Sequence, residues 1–207
     1  MRLLSVTLSA AAVLLTGGAA YADSFLEVAG GLSIPVGDSN WTNLADTSAK
    51  LGARFGAMND QGLGAMLQAD WTPVNLNYPG GGTAGASIDY AGHEFRFLAD
   101  FTIHHPILPK LLFGGRAGIG LDIAHASLTT TLGNSTSSIS DTDLGLALEF
   151  GAGLWYPIGD VQIGGEIALP ISTHSKHGTL LPTDGHFTFD YTSYDIDLLF
   201  GVRVLSR

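Results

Sequence analysis

Charged residues recur at every second position in several stretches of the chain, and this spacing limits the chemistry that they can perform. In "HEFRFLAD", Glu94, Arg96 and Asp100 alternate with Phe95 and Phe97. Successive side chains of a β-strand point to opposite faces, so the acids and the base share one face. There they could form ion pairs with neighbouring strands or line an ion pathway. The stretch therefore predicts a strand with one ionic and one apolar face.

The same alternation predicts eight strands along the chain. They span about 24–34, 48–58, 63–72, 90–103, 111–125, 143–156, 161–171 and 191–205. The predicted ionic face carries Glu27, Lys50, Arg54, Glu94, Arg96, Asp100, Arg116, Asp122, Glu149, Glu166, Asp197 and Arg203. The aromatic residues of the opposite face are Trp71, Phe95, Phe97, Phe101, Phe113, Phe150, Tyr156, Tyr194 and Phe200.

Glycines beside the charges indicate that the ionic face is the inside of a barrel. Gly118, Gly120, Gly151 and Gly153 lie on this face, where they would only weaken a strand exposed to solvent. A narrow eight-stranded barrel has room for little besides its own side chains, so long charged residues there need small neighbours. Only 14% of the residues are charged, against about 25% in soluble domains. We therefore predict an all-β, eight-stranded antiparallel up-and-down barrel whose aromatic face contacts lipid.

The connections provide an independent argument for a membrane barrel. Long connections are predicted at 35–47, 73–89, 126–142 and 172–190, and short ones at 59–62, 104–110 and 157–160. Short periplasmic turns and long extracellular loops are typical of outer-membrane barrels. A soluble lipocalin-like barrel is the structural alternative, but it need not show this asymmetry and would have apolar residues inside.

The first residues predict export. "MRLLSVTLSAAAVLLTGGAAYA" combines a basic start, a short apolar run and a small-residue end, so residues 1–22 are predicted to be a signal peptide. Residues 23–207 are then the barrel domain, located in the outer membrane of a Gram-negative bacterium.

Over residues 24–205 the chain resembles the eight-stranded outer-membrane barrels of the OmpA/OmpX type. The resemblance rests on export, on eight alternating strands and on an inward set of acids with Arg and Lys. It implies a structural or interaction role without enzymatic activity, with a plugged charged interior and loops exposed at the cell surface. The alternatives are a narrow channel for small solutes and a lipid A-modifying enzyme.

Composition narrows the possible partners and cofactors. A net charge of −10 disfavours nucleic-acid binding, and the absence of Cys excludes disulfides. The expected partners are outer-membrane lipid and lipopolysaccharide, and no cofactor or metal is expected.

Two histidine groups suggest other chemistry. His125 and Ser127 share one parity near Asp141 and Asp143, a combination that could support acyl transfer as in outer-membrane lipid A deacylases. In that family, however, the pair lies on a late strand, so an interfacial role is expected here. His174, His177 and His186 lie near Asp184 in the last long connection and could bind a metal, but their loose spacing favours a solvated loop.

Overall fold

A closed β-barrel forms the whole described part of the protein. The computed structural model describes residues 22–37, 42, 45–74, 86–179 and 186–206. Its strands are β1 Ala22–Val36, β2 Ser48–Asn59, β3 Leu63–Val74, β4 Ala86–Leu108, β5 Leu111–Leu132, β6 Ser135–Ile158, β7 Val161–Thr179 and β8 His186–Ser206. Each strand pairs antiparallel with the next, and β8 pairs with β1 to close the barrel. Within these residues, no helix has the length and apolar character needed to cross a membrane. The predicted fold class is confirmed.

The register places acids beside bases on neighbouring strands. Glu27 of β1 lies opposite Arg54 of β2 on one side and Arg203 of β8 on the other. Arg96 of β4 lies opposite Asp70 of β3 and Asp122 of β5. Because directly opposite residues share a face of the sheet, the register brings the charged side chains together on one side of the wall.

At the end of the barrel opposite the short periplasmic turns, called the outward end below, the strands extend well beyond the predicted ends. The prediction of a long connection at 126–142 was wrong, because β5 and β6 stay paired up to Leu132 and Ser135. Only Gly133 and Asn134 form the turn, and Gly133 has a φ of 58°, a conformation that favours glycine. Ser and Thr, read from composition as a loop, pair here across the two strands. This region is called the β5–β6 hairpin below.

Two other predicted connections are shorter than expected. Within 172–190, β7 reaches Thr179 and β8 begins at His186. On the periplasmic side, β4 continues through most of 104–110 to Leu108, so only Pro109 and Lys110 form the turn. A register shift between Pro106 and Leu108 accommodates the prolines, which cannot donate to a regular ladder.

An apolar belt surrounds the outer surface of the barrel. Of the nine aromatic residues predicted on this face, Trp71 is half-buried and the other eight are exposed. Aliphatic residues such as Val28, Leu144 and Ile167 continue the belt, each with more than half of its surface exposed. On β5 the belt runs from Phe113 to Ile123, a span that matches the 9–11 residues of a transmembrane strand. The predicted signal peptide lies outside the described residues except for Ala22, and it stays a prediction.

The charged barrel interior

Every residue predicted on the ionic face lies inside the barrel. The structure buries Glu27, Lys50, Arg54, Glu94, Arg96, Asp100, Arg116, Asp122, Glu149, Glu166, Asp197 and Arg203. The most exposed of them, Glu166, retains 8% of its surface. Removal of so many charges from water is strongly unfavourable unless each finds a partner.

In the periplasmic half, two carboxylates each bridge two guanidinium groups. Glu27 accepts from Arg54 at 2.5 Å and from Arg203 at 2.6 Å, through its two different oxygens. Glu166 accepts from Arg54 at 2.9 Å and from Arg116 at 2.7 Å. Arg116 also lies 3.2 Å from Asp100 and contacts Glu149. Three bases from three strands thus share four acids, which come from four other strands.

Glu149 joins this half to the outward half of the interior. It lies 3.6 Å from Lys50 and 3.4 Å from Arg96, and it accepts a hydrogen bond from Gln68 at 2.9 Å. The result is a continuous series of contacts from one end of the barrel to the other, called the ion-pair chain below. It runs through Arg203, Glu27, Arg54, Glu166, Arg116, Glu149, Arg96 and Asp122.

The outward half carries more acid than base. Lys50 binds Asp70 at 2.9 Å and Asp197, and Arg96 binds Glu94 at 2.7 Å and lies 3.4 Å from Asp122. Among the described residues, the buried interior contains nine carboxylates and five bases. The three bases of the periplasmic half face a similar number of acids, so the excess negative charge lies in the outward half.

Glycines provide the space that the long side chains occupy. A Cβ on Gly118 would lie 2.3 Å from Asp100 Oδ1, and one on Gly151 would lie 2.8 Å from Arg116 Nε. Real Cβ atoms do not approach other atoms this closely, so a larger residue would displace the ion pair. These positions account for glycines inside strands, where glycine otherwise weakens pairing.

Aromatic residues that the sequence interpretation missed fill the periplasmic end. Trp155 is 2% exposed and Phe25 is 1% exposed. The Arg203 guanidinium lies 4.3 Å from the centre of the Trp155 ring and 4.6 Å from that of Phe25, within the range of cation–π attraction. Parity could have found both, since Trp155 shares the face of Glu149 and Phe25 that of Glu27.

Glycines surround the Trp155 ring. A Cβ on Gly114, Gly164 or Gly201 would lie between 2.7 and 3.1 Å from its ring atoms. His104 also points into this end, with its ring nitrogens 2.9 and 3.0 Å from Arg203 Nη1. The sequence did not predict an interior position for His104, because residues 104–110 were predicted to be a turn. Side chains in a turn do not alternate between two faces.

The interpretation of His174 as part of a solvated loop was wrong. The extension of β7 carries it onto the inward face, where it is 3% exposed. Its Nδ1 lies 3.2 Å from Asp143 Oδ2, and its Nε2 lies 3.8 Å from Asp122 Oδ2. Asp184 and the side chains of His177 and His186 lie outside the described part of the chain.

His125 and Ser127 lie on the outer surface near the β5–β6 hairpin and contact other groups. His125 Nδ1 lies 2.8 Å from Thr142 Oγ1, and the Ser127 hydroxyl donates to the Ala91 carbonyl at 3.3 Å. Nearby, the rings of Trp71 and His93 stack with centroids 5.9 Å apart. These contacts are typical of polar residues at the edge of an apolar belt.

Three solved structures are similar to the chain, and the first of them shares its fold. Neisserial surface protein A (NspA) is 14% identical, with a TM-score of 0.52 over 87% of this chain and 96% of that one. The Ail protein of Yersinia pestis is 14% identical, with a TM-score of 0.49 over 88% and 99% of the two chains. A major outer membrane protein of Thermus thermophilus is 13% identical, with a TM-score of 0.49 over the same shares. No protein-family model matches the sequence, and no curated protein matches it.

Both the closed fold and the apolar outer surface of the barrel indicate that it lies in a lipid bilayer. An apolar belt outside and a charged interior are the reverse of a soluble barrel, and only a closed barrel satisfies every strand hydrogen bond within a bilayer. The chain therefore has the fold of the eight-stranded outer-membrane β-barrels, and its outer surface suits a lipid bilayer.

Proposed function

We propose that the protein is a closed, non-enzymatic barrel that presents its outward connections, above all the β5–β6 hairpin, to partners at the cell surface. The observation that carries this proposal is the filled interior. The ion-pair chain crosses the barrel, and Trp155, Phe25 and Arg203 fill its periplasmic end. A solute would have to break several buried ion pairs in order to pass.

The β5–β6 hairpin supports the second half of the proposal. Beyond the belt residue Ile123, β5 continues to Leu132, which is roughly 30 Å of paired strand at about 3.3 Å per residue. Such a length is not needed to cross the membrane. Its described side chains near the turn, residues 133–138, are exposed and are Gly, Asn, Ser or Thr. Because the hairpin is already paired, its neutral polar tip offers a partner many hydrogen-bonding groups at less ordering cost than an open loop.

Conductance in planar bilayers tests whether the barrel is closed. The purified protein is expected to insert without stepwise currents, under conditions in which a 16-stranded porin, as a positive control, conducts. A steady ohmic current through the wild-type protein would overturn the proposal in favour of the narrow channel. The current would be cation-selective if the acid-rich outward half lined the path.

Cysteine labelling tests whether the β5–β6 hairpin is exposed at the cell surface. Single cysteines can be introduced for this purpose because the chain contains no Cys. Ser137→Cys lies beside the hairpin turn and Lys110→Cys lies in a periplasmic turn, both at exposed positions. A membrane-impermeant maleimide is expected to label Ser137→Cys in intact cells and Lys110→Cys only after lysis. The opposite pattern would refute surface presentation of the hairpin.

A further inference from the structure

Three side chains with metal-binding groups converge in the outward half of the interior. One oxygen each of Glu94 and Asp122 and one ring nitrogen of His174 all lie within 4.8 Å of one another. They come from β4, β5 and β7, and each residue is at most 6% exposed. His174 can reach Asp122 past β6 because the residue between them is Gly145, where a Cβ would lie 2.8 Å from the His174 ring.

The charge around this cluster is negative. Arg96 contacts Glu94, Asp122 and Glu149, so its single positive charge is shared among three carboxylates. Asp143 adds a further carboxylate on the other side of the His174 ring. Carboxylates held together away from water need a cation or a proton between them.

One carboxylate oxygen of Asp122 has spare capacity to accept a ligand bond. Its Oδ2 accepts from Ser172 and lies near Arg96. Its Oδ1 is buried and has no hydrogen-bond partner, although the residue is 0% exposed. Buried carboxylate oxygens in proteins nearly always have a donor, a water or a metal ion beside them.

The contact between His174 and Asp143 has the form that metal-binding histidines use. Nδ1 faces the Asp143 carboxylate at 3.2 Å, so it is positioned to carry the proton. The lone pair then belongs to Nε2, the nitrogen that faces Asp122. A carboxylate that orients a ligating histidine in this way is a regular feature of zinc sites.

We propose that Glu94, Asp122 and His174 bind one divalent transition-metal ion, with Zn²⁺ as the best fit. An imidazole with two carboxylates suits Zn²⁺ and Mn²⁺ better than Ca²⁺ or Mg²⁺, which take oxygen ligands alone. Ligands about 2 Å from a tetrahedral Zn²⁺ are roughly 3.3 Å apart, so small side-chain rotations would complete the site. The Ser172 hydroxyl or a water would supply the fourth ligand. The ion would link three strands at the outward end of the barrel.

A small polar cavity lies beside Glu94. Its lining includes Glu94 itself together with Asp46, Asp195, Ser48 and Thr72. None of the described residues that line it is basic, so their field would attract cations and repel anions.

Zinc titration of the refolded barrel in detergent, after treatment with a chelator, tests the proposal. One Zn²⁺ per chain is expected by calorimetry, together with a rise in the temperature of unfolding. His174→Gln and Glu94→Gln should weaken binding at least tenfold, and Asp143→Asn should weaken it about tenfold by loosening the histidine. His125→Gln, on the outer surface, is the matched control and should bind as the wild type does.

The visible absorption of bound Co²⁺ reports the ligands of the ion directly. It would not depend on His174 if this residue only stabilised the barrel. The bound ion should show visible absorption bands of a site with a nitrogen ligand, and these should be lost in His174→Gln. A His177→Gln/His186→Gln double variant should retain both binding and bands. Absence of Zn²⁺ binding at millimolar concentration would overturn the proposal, as would equal binding by the wild type and His174→Gln. If His174→Gln fails to fold, Zn²⁺ binding by Glu94→Gln and Asp143→Asn is compared with that of the wild type instead. Equal binding by both variants and the wild type would overturn the proposal.

Discussion

The two faces of β4 can be set against each other with one substitution on each. Arg96 is 2% exposed and faces Glu94, Asp122 and Glu149 inside the barrel. Its neighbour Phe97 is 48% exposed on the outer belt. Arg96→Leu removes an interior base, whereas Phe97→Arg puts a base into lipid. Each should destabilise the barrel, but for different physical reasons.

The magnitudes follow from these environments. Loss of one partner from a buried ion pair typically costs about 3–5 kcal/mol, and Arg96→Leu deprives three carboxylates at once. An Arg on the lipid face costs about 2–4 kcal/mol at the midplane and less towards the interface. Phe97 lies nearer the outward end of the belt than the middle, so about 2 kcal/mol is expected for Phe97→Arg.

Equilibrium unfolding by urea in lipid vesicles measures both losses. Phe97→Leu is the control for the outer face and should unfold close to the wild type. Arg96→Lys keeps the charge but not the fork that reaches several carboxylates, so it should lose less than Arg96→Leu.

Acidification separates the two causes. The loss in Arg96→Leu should shrink as the pH falls, because a protonated carboxyl no longer needs a counter-charge. The loss in Phe97→Arg should not change, since arginine stays charged throughout. If Phe97→Arg were as stable as Phe97→Leu while Arg96→Leu were more stable than the wild type, the assignment of the two faces would be refuted.

Two further predictions concern the wall and the hairpin. The purified protein should migrate differently in SDS gels before and after boiling, because a closed barrel resists detergent at room temperature. Identical mobility in both lanes, with a helical circular dichroism spectrum, would contradict the closed barrel. Deletion of residues 130–132 together with 135–137 keeps the Gly133–Asn134 turn and joins it to Thr129 and Ser138, which are already paired. Membrane assembly and the gel shift should be unchanged, whereas failure to assemble would mean that the hairpin belongs to the folding wall.

Local alternation along the chain was enough to predict the faces of the barrel. Whether Arg96 points inward and Phe97 outward depends only on the period of two, which a strand has wherever it lies. The bias of one parity towards charge and glycine, and of the other towards aromatic residues, then indicated which face was inside. For the same reason the twelve interior residues could be named before their partners were known.

The tertiary structure decided where the strands end and which charges meet. The polar composition of the β5–β6 hairpin looked like a loop, and only pairing with the neighbouring strand makes it a sheet. His174 and His104 acquired inward positions because β7 and β4 continue past the predicted ends.

Partners across the lumen are set by strand closure and register. Arg54 meets Glu166 from a strand 112 residues further along the chain. No pattern within one strand encodes such a contact. The convergence of Glu94, Asp122 and His174 has the same origin, because three strands must close around a common axis before the side chains can meet.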